Sequence, residues 1–391
     1  MSTPGSYTLY VMYISYFSGK MQAYLRYKGV PHETVEPKWG GDLLKLIYPN
    51  TGLMKVPVVR TPEGQWLADS TPMIDWFEQR YPDASVIPQD PLQAFFCRLL
   101  EDYADEWLWR PALHYRWSYA EDAKALSHRF AETFLSEQPM PRSLSAAFIR
   151  QRQKLIYTAG DGVTPATRAH VESIYLDTLD RLQAIFTRQR FLLGDKPCLA
   201  DFGFFASMFR HYSQDPTPSR IMQERAPAVF EWVARLWNSH GARGEWAPAG
   251  TLPPGWTPLL RDVGAAYLPY LHANAIAWRE GRKTFDFSVQ GVTYRKLPVV
   301  QYRVWCRERL QAHWQCVPDD ARAAVECVLR DAGAWEPLFR DGVIASDLHD
   351  EDTPPLCRPR RVSWSDRLIR FINGTHWHAP RPRLHRPDPS T

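Results

Sequence analysis

The stretch YTLYVMYISYFSGKMQAYLRYKG, residues 7–29, decides how the chain begins to fold. Tyr7–Met12 is rich in β-formers and reads as a strand. Ser15 or Ser18 then offers a helix N-cap, and Met21, Tyr24, Leu25 and Lys28 recur at helical spacing. Gly29 closes that helix. Further on, an extended piece lies around Thr34–Glu36 and a second strand spans residues 56–60. Pro62-Glu63-Gly64 turns the chain, and Gln65–Ala68 returns as a paired strand. Ser70 or Thr71 caps a helix whose apolar face holds Met73, Ile74, Phe77 and Tyr81. The order β-α-β, a connection, then β-β-α predicts an α/β domain whose sheet carries one antiparallel hairpin.

Pro82 and the prolines of 88–91 punctuate a linker, and the pattern then changes. From Leu92 to about Asn238 the periodicity is helical, with long amphipathic stretches at 92–117, 167–189 and 226–238 and no strand. A Pro- and Gly-rich segment, 244–258, leads to more helix at 259–282. Phe285, Phe287 and Val289 then alternate, Gln290-Gly291 can turn, and Val292 and Tyr294 alternate back, which predicts a hairpin. Helices are expected near 298–315 and 319–331. Residues 341–357 hold five acids and no bases, and residues 358–391 hold eight arginines and five prolines. That composition predicts a disordered tail over 341–391, with room for a short helix at Ser365–Ile372.

Bulk composition narrows the function. The 391 residues give two or three domains, and the 16 Trp and 18 Tyr suggest wide aromatic walls in a core or a pocket. A net charge of +4 is too balanced to imply a nucleic-acid partner. None of the six cysteines forms a CxxC pair, so neither zinc nor a redox dithiol is expected, and His376 and His378 lack a third ligand. Without a signal peptide or an apolar run of membrane length, a cytoplasmic protein is expected.

Three short motifs carry a resemblance. Leu9-Tyr10 followed by Ser15-Tyr16-Phe17-Ser18-Gly19-Lys20, then Met54-Lys55-Val56-Pro57-Val58, then Leu67-Ala68-Asp69-Ser70 resemble, in order and spacing, the N-terminal domain of glutathione transferases. The resemblance covers 7–82 well, extends loosely to about 240, and does not cover 250–391. It implies a thioredoxin-like glutathione-binding domain at 1–83 and an all-helical glutathione-transferase-type domain at 90–243. A mainly helical extension at 250–340 and the tail complete the expected architecture. It also implies glutathione as co-substrate, a hydrophobic small molecule as second substrate, no metal, and a homodimer.

A free thiol has a pKa near ~8.5, so a catalyst must stabilise the thiolate. A hydroxyl and a helix N-terminus aimed at the sulfur both do so. Ser15 sits where strand gives way to helix, and it matches the catalytic hydroxyl of the serine-type theta and zeta classes. It would also serve simply as a cap, and Tyr13 and Tyr16 are rival hydroxyls. A cis Val56-Pro57 bond, as the family carries, would turn the Val56 backbone toward the cysteinyl part of the ligand. Ser70 and its N–H suit the γ-glutamyl carboxylate, Asp69 the γ-glutamyl ammonium, and Lys55 the glycyl carboxylate. Serine at both 15 and 18 excludes a redox dithiol. Cys198-Leu199-Ala200-Asp201 resembles the family's capping box and reads as structural.

For the second substrate, the helix after the linker offers Tyr103, Trp107, Trp109, Tyr115 and Trp117, with His114 and Arg116 as polar groups. Of these and the first helix, Tyr16, Tyr103, Trp107 and His114 are the candidate pocket residues. The leading expectation is a transferase acting on a hydrophobic or aromatic electrophile. The alternatives are a non-catalytic scaffold of the same fold and a glutathione-dependent lyase or etherase.

Overall fold

The computed structural model describes residues 5–241 and 243–348. Strand β1 (Tyr7–Tyr10), helix α1 (Tyr16–Lys28) and strand β2 (His32–Val35) form the opening unit. Gly29 ends α1 in the left-handed region, φ 66°, with its N–H returned to Arg26 O, a conformation that strains other residues. A wide π-type helix, Trp39–Ile47, and the short α2 (Tyr48–Thr51) fill the connection. β3 (Val58–Arg60) and β4 (Trp66–Ala68) make the hairpin, and α3 (Ser70–Arg80) follows. The sheet order is β2-β1-β3-β4, with β2 parallel to β1 and the other pairs antiparallel. This is the mixed sheet that the segment order implied.

Register decides what meets at the sheet's end. Tyr10 lies opposite Val58, and Val58 lies opposite Ala68. The exit of β1, the entry to β3 and the exit of β4 therefore share one edge. The segments Met12–Ser15, Lys55–Pro57 and Asp69-Ser70, far apart in sequence, become neighbours there.

The next region is helical: α4 (Pro91–Glu106), α5 (Trp109–Ser118), α6 (Ala120–Thr133), α7 (Arg142–Gln153), α8 (Arg168–Phe186), α9 (Leu199–Ser207), α10 (Pro216–Arg225) and α11 (Pro227–Trp237). The amphipathic stretch 92–117, expected as one helix, is two, broken at Trp107-Leu108. α9 crosses α4 so closely that a β-carbon on Gly203 would lie 2.7 Å from Glu101 Cα. At the head of α9, the buried Asp201 carboxylate gathers four donors. Oδ2 accepts from Cys198 N–H at 3.0 Å and from the Cys198 thiol at 3.3 Å. Oδ1 accepts from Leu192 N–H and from the Trp232 indole, both at 3.0 Å. The cysteine of the box thus donates to its acid, and a tryptophan from α11 supplies a further donor that the motif does not reveal.

The extension begins with α12 (Trp256–Asp262), which runs through a π-type turn at Val263–Tyr267 into α13 (Leu268–Arg279). β5 (Thr284–Val289) and β6 (Val292–Pro298) form the expected hairpin, closed by Gln290 and Gly291 at φ 48° and 78°. α14 (Gln301–Gln315), α15 (Asp319–Asp331) and α16 (Trp335–Phe339) follow. The extension shares a continuous buried core with the rest of the chain, running from Tyr7 to Leu338.

The expected disorder does not begin at 341. Residues 341–348 lack regular structure but are held down: Gln301 Nε2 donates to Ser346 O at 2.7 Å, and Ser346 N–H to Glu308 at 3.0 Å. The helix expected at Ser365–Ile372, the His376–His378 pair and the rest of the expected tail lie outside the described residues. Among the described residues, no helix is long and apolar enough to cross a membrane.

Asp201→Ala is expected to leave four buried donors without their acceptor, costing about 3 kcal/mol or more. The urea unfolding midpoint checks this; an unshifted midpoint would show that the network contributes no stability.

Candidate active site

Between β1 and α1 the chain makes a tight turn in which Ser15 N–H donates to Met12 O at 2.8 Å. Ser15 then occupies the N-cap position of α1 with extended backbone, φ −87° and ψ 132°, and its carbonyl accepts from Gly19 N–H. Its hydroxyl makes no capping bond. Ser18, the rival cap, braces the loop instead, its oxygen accepting Met12 N–H at 3.2 Å. The two serines have separate tasks, and Ser15 is the one that lines a pocket.

The pocket has a volume of about 220 Å³ and lies between the sheet's end and the helical region. Ser15, Lys55 and Val56 line one side, with Trp39 from the π-type helix. Trp109 and Trp117 from α5, Phe130 from α6, and Phe134 and Tyr157 from the turns beyond α6 and α7 form aromatic walls. None of the described lining residues is acidic. Arg116 lines the floor, but its charge is answered beneath it. Nε and Nη2 bond the Asp215 carboxylate at 2.7 and 3.0 Å, Nη2 also reaches Arg210 O, and Nη1 bonds Ile14 O at 2.5 Å. The last bond ties the residue before Ser15 to α5. His211 also lines the pocket; burial and the Arg116 charge push its imidazole well below its ordinary value, so it is neutral.

Lys55 is the chemically unusual member. Burial lowers its ammonium to about 7, against the opposing pull of the Asp69 and Glu106 carboxylates. The Val56–Pro57 peptide bond beside it is cis. Asp69, at φ 75°, turns the chain from β4 into α3. Its carbonyl accepts Met73 N–H at 3.0 Å, and its side chain makes no capping bond. Burial pushes its carboxyl up to about 6, partly offset by a hydrogen bond from Tyr302. Ser70 is buried as the first residue of α3.

Residues 9–85 match the family model of the glutathione S-transferase N-terminal domain, and residues 166–240 that of the glutathione S-transferase C-terminal domain. These two stretches carry the two domains of the glutathione S-transferase fold. Similar solved structures include a glutathione S-transferase from Rhodospirillum rubrum, 19% identical, covering 65% of this chain and 91% of that one, TM-score 0.38. A second is a Methylobacterium radiotolerans glutathione S-transferase in complex with glutathione sulfonate, 18% identical, covering 62% and 99%, TM-score 0.38. A third is the β-etherase LigF from Sphingobium, 19% identical, covering 59% and 94%, TM-score 0.43.

The residues singled out from the sequence fall into two groups. Ser15, Lys55 and Val56 meet at the pocket, while Pro57, Asp69 and Ser70 continue along the same sheet end. Of the four candidate pocket residues, only Tyr16 touches the pocket, and its hydroxyl is spent on Ala104 O at 2.5 Å. Tyr103 and Trp107 face the other way and pack on Tyr267, Trp107 also on Tyr270. His114 is buried, with Nε2 on Glu172 at 3.0 Å. The break at Trp107-Leu108 turns the walls over to Trp109 and Trp117. Trp39, Phe130, Phe134, Tyr157 and His211 come from segments with no shared spacing, so no signal in the sequence linked them to the pocket.

A lysine held near 7 is an amine nucleophile at neutral pH. Competitive labelling with an acylating reagent is expected to modify Lys55 with half-maximal reactivity near pH 7. A midpoint near the ordinary lysine value would contradict the site described here.

Proposed function

We propose that the chain is a serine-type glutathione transferase, joining the tripeptide thiol to a hydrophobic, aromatic electrophile. The observation that carries this reading is a serine hydroxyl, unused by its own helix, standing at the N-terminus of α1 on an aromatic pocket. Lowering a thiol pKa by two units requires about 2.7 kcal/mol. One hydrogen bond to the anion together with the helix N-terminus supplies that order of energy.

In this mechanism glutathione lies along the sheet end. Lys55 meets the glycyl carboxylate, and the Val56 backbone pairs with the cysteinyl unit. Asp69 meets the γ-glutamyl ammonium, and the Ser70 N–H its carboxylate. The thiol proton passes to solvent, and the Ser15 hydroxyl donates to the thiolate that remains. The thiolate attacks an electrophilic carbon held among the tryptophans, forming the S–C bond, and a leaving group departs with the electron pair of the bond that breaks. The aromatic walls exclude water, which strengthens the Ser15 hydrogen bond and leaves the sulfur poorly solvated. The thiol-holding part corresponds to residues 1–83 and the second-substrate wall to the helical region 90–243.

Ser15→Ala is expected to lower kcat/KM with 1-chloro-2,4-dinitrobenzene by roughly 10- to 100-fold and to raise the pKa of the bound thiol. Unchanged kinetics would overturn the catalytic role. Asp69 adds a pH test. Its carboxyl is ionised above about 6 and neutral below, so its pull on an ammonium is lost as pH falls through that value. The affinity for S-methylglutathione, measured by calorimetry, is expected to weaken across that window, and Asp69→Asn to flatten the profile. A flat wild-type profile would remove Asp69 from the site.

A further inference from the structure

Tyr302 stands in the first turn of α14, in the segment that the family matches do not reach. Its hydroxyl donates to Asp69 Oδ1 at 3.1 Å, across 233 residues of sequence. Asp69 is free for this contact because its side chain does not cap α3. Neighbouring ties make the placement firm. Arg309, two turns further along α14, pairs with Asp75 of α3, and Asp75 also pairs with Arg98 of α4 at 2.9 Å. Arg303 pairs with Glu106 at 3.1 Å, and Glu106 is one of the two carboxylates acting on Lys55. The first turn of α14 therefore reaches Asp69 through Tyr302 and the end of α4 through Arg303. Tyr302, Asp69 and Lys55 are each only half-buried, so the contact shapes this end of the site without sealing it.

We propose that Tyr302 is a positioning residue for the thiol substrate: it holds one oxygen of Asp69 so that the other meets the γ-glutamyl ammonium, making the C-terminal extension part of the selectivity for γ-glutamyl thiols. This rests on the reading of glutathione as the thiol substrate. The physical gain is preorganisation. A carboxylate already fixed by one donor loses less rotational freedom when it takes up a cation.

The test compares two thiols: glutathione, and cysteinylglycine, which keeps the thiol and the glycyl carboxylate but lacks the γ-glutamyl group. Tyr302→Phe is expected to raise the KM for glutathione about ten-fold and to change kcat less than about two-fold. The KM for cysteinylglycine should not change, and turnover of that dipeptide shows in the same sample that the fold and Ser15 are intact. In an Asp69→Asn background, Tyr302→Phe should add no further loss, because its effect runs through that carboxylate. An unchanged glutathione KM, an equal rise for both thiols, or a full additional loss in the Asp69→Asn background each overturns the inference while leaving the transferase reading in place. Wild-type protein that shows no calorimetric binding of glutathione overturns both together.

Discussion

Four carboxylates in the last turns of α4 must each find a partner, and the packing on both sides of that helix follows from this demand. Glu101 and Asp105 lie one turn apart and face α1, where Lys20 reaches both at 2.5 Å and Thr71 joins from α3. Asp102 and Glu106, turned by one position, face the extension, where Tyr267 donates to Asp102 at 2.6 Å and Arg303 pairs with Glu106. An ammonium as deeply buried as Lys20 would be expensive alone; flanked by two carboxylates it is held well above its ordinary value. Helical periodicity thus splits a single acidic run into two docking faces. One fixes the thioredoxin-like domain and the other fixes the C-terminal segment.

The consequences converge on the pocket. Lys20 sets where α1 lies, and with it the N-terminus that carries Ser15. Gly19, next to that lysine, allows the approach: a β-carbon there would fall 2.6 Å from Arg210 Cγ. Arg116 secures the same loop from the other side through Ile14 O while meeting its own charge on Asp215. The Ser15 hydroxyl therefore stands on a turn whose neighbours are bound, which is the condition for a donor to cost little reorganisation when an anion forms. The extension acts from further away. It buries Tyr103 and Trp107 against Tyr267 and brings Tyr302 to Asp69.

Much of the local structure was legible in the residues. Gly29 stopped α1 where its left-handed conformation was expected, and Gln290-Gly291 closed a hairpin whose alternation was plain. Asp201 was legible as a structural acid, but the Trp232 indole that it holds was not, because that residue lies on another helix. The stretch 92–117 misled because its aromatic residues continue past the break at Trp107-Leu108. Tyr103 and Trp107 lie one turn apart on a single face of α4, and the wall residue Trp109 comes only after the break.

By itself the sequence determined the elements and the three motifs that meet at the sheet's end. Strand alternation, caps and turn residues act over a few positions and so can be read directly. Only the tertiary structure decided which aromatic side chains wall the pocket, that Ser15 lines that pocket with a hydroxyl that makes no capping bond while Ser18 braces the loop, and that α14 reaches Asp69. Those outcomes depend on which faces are buried when segments up to 233 residues apart are packed together, and in particular on where each buried polar or charged group finds its partner.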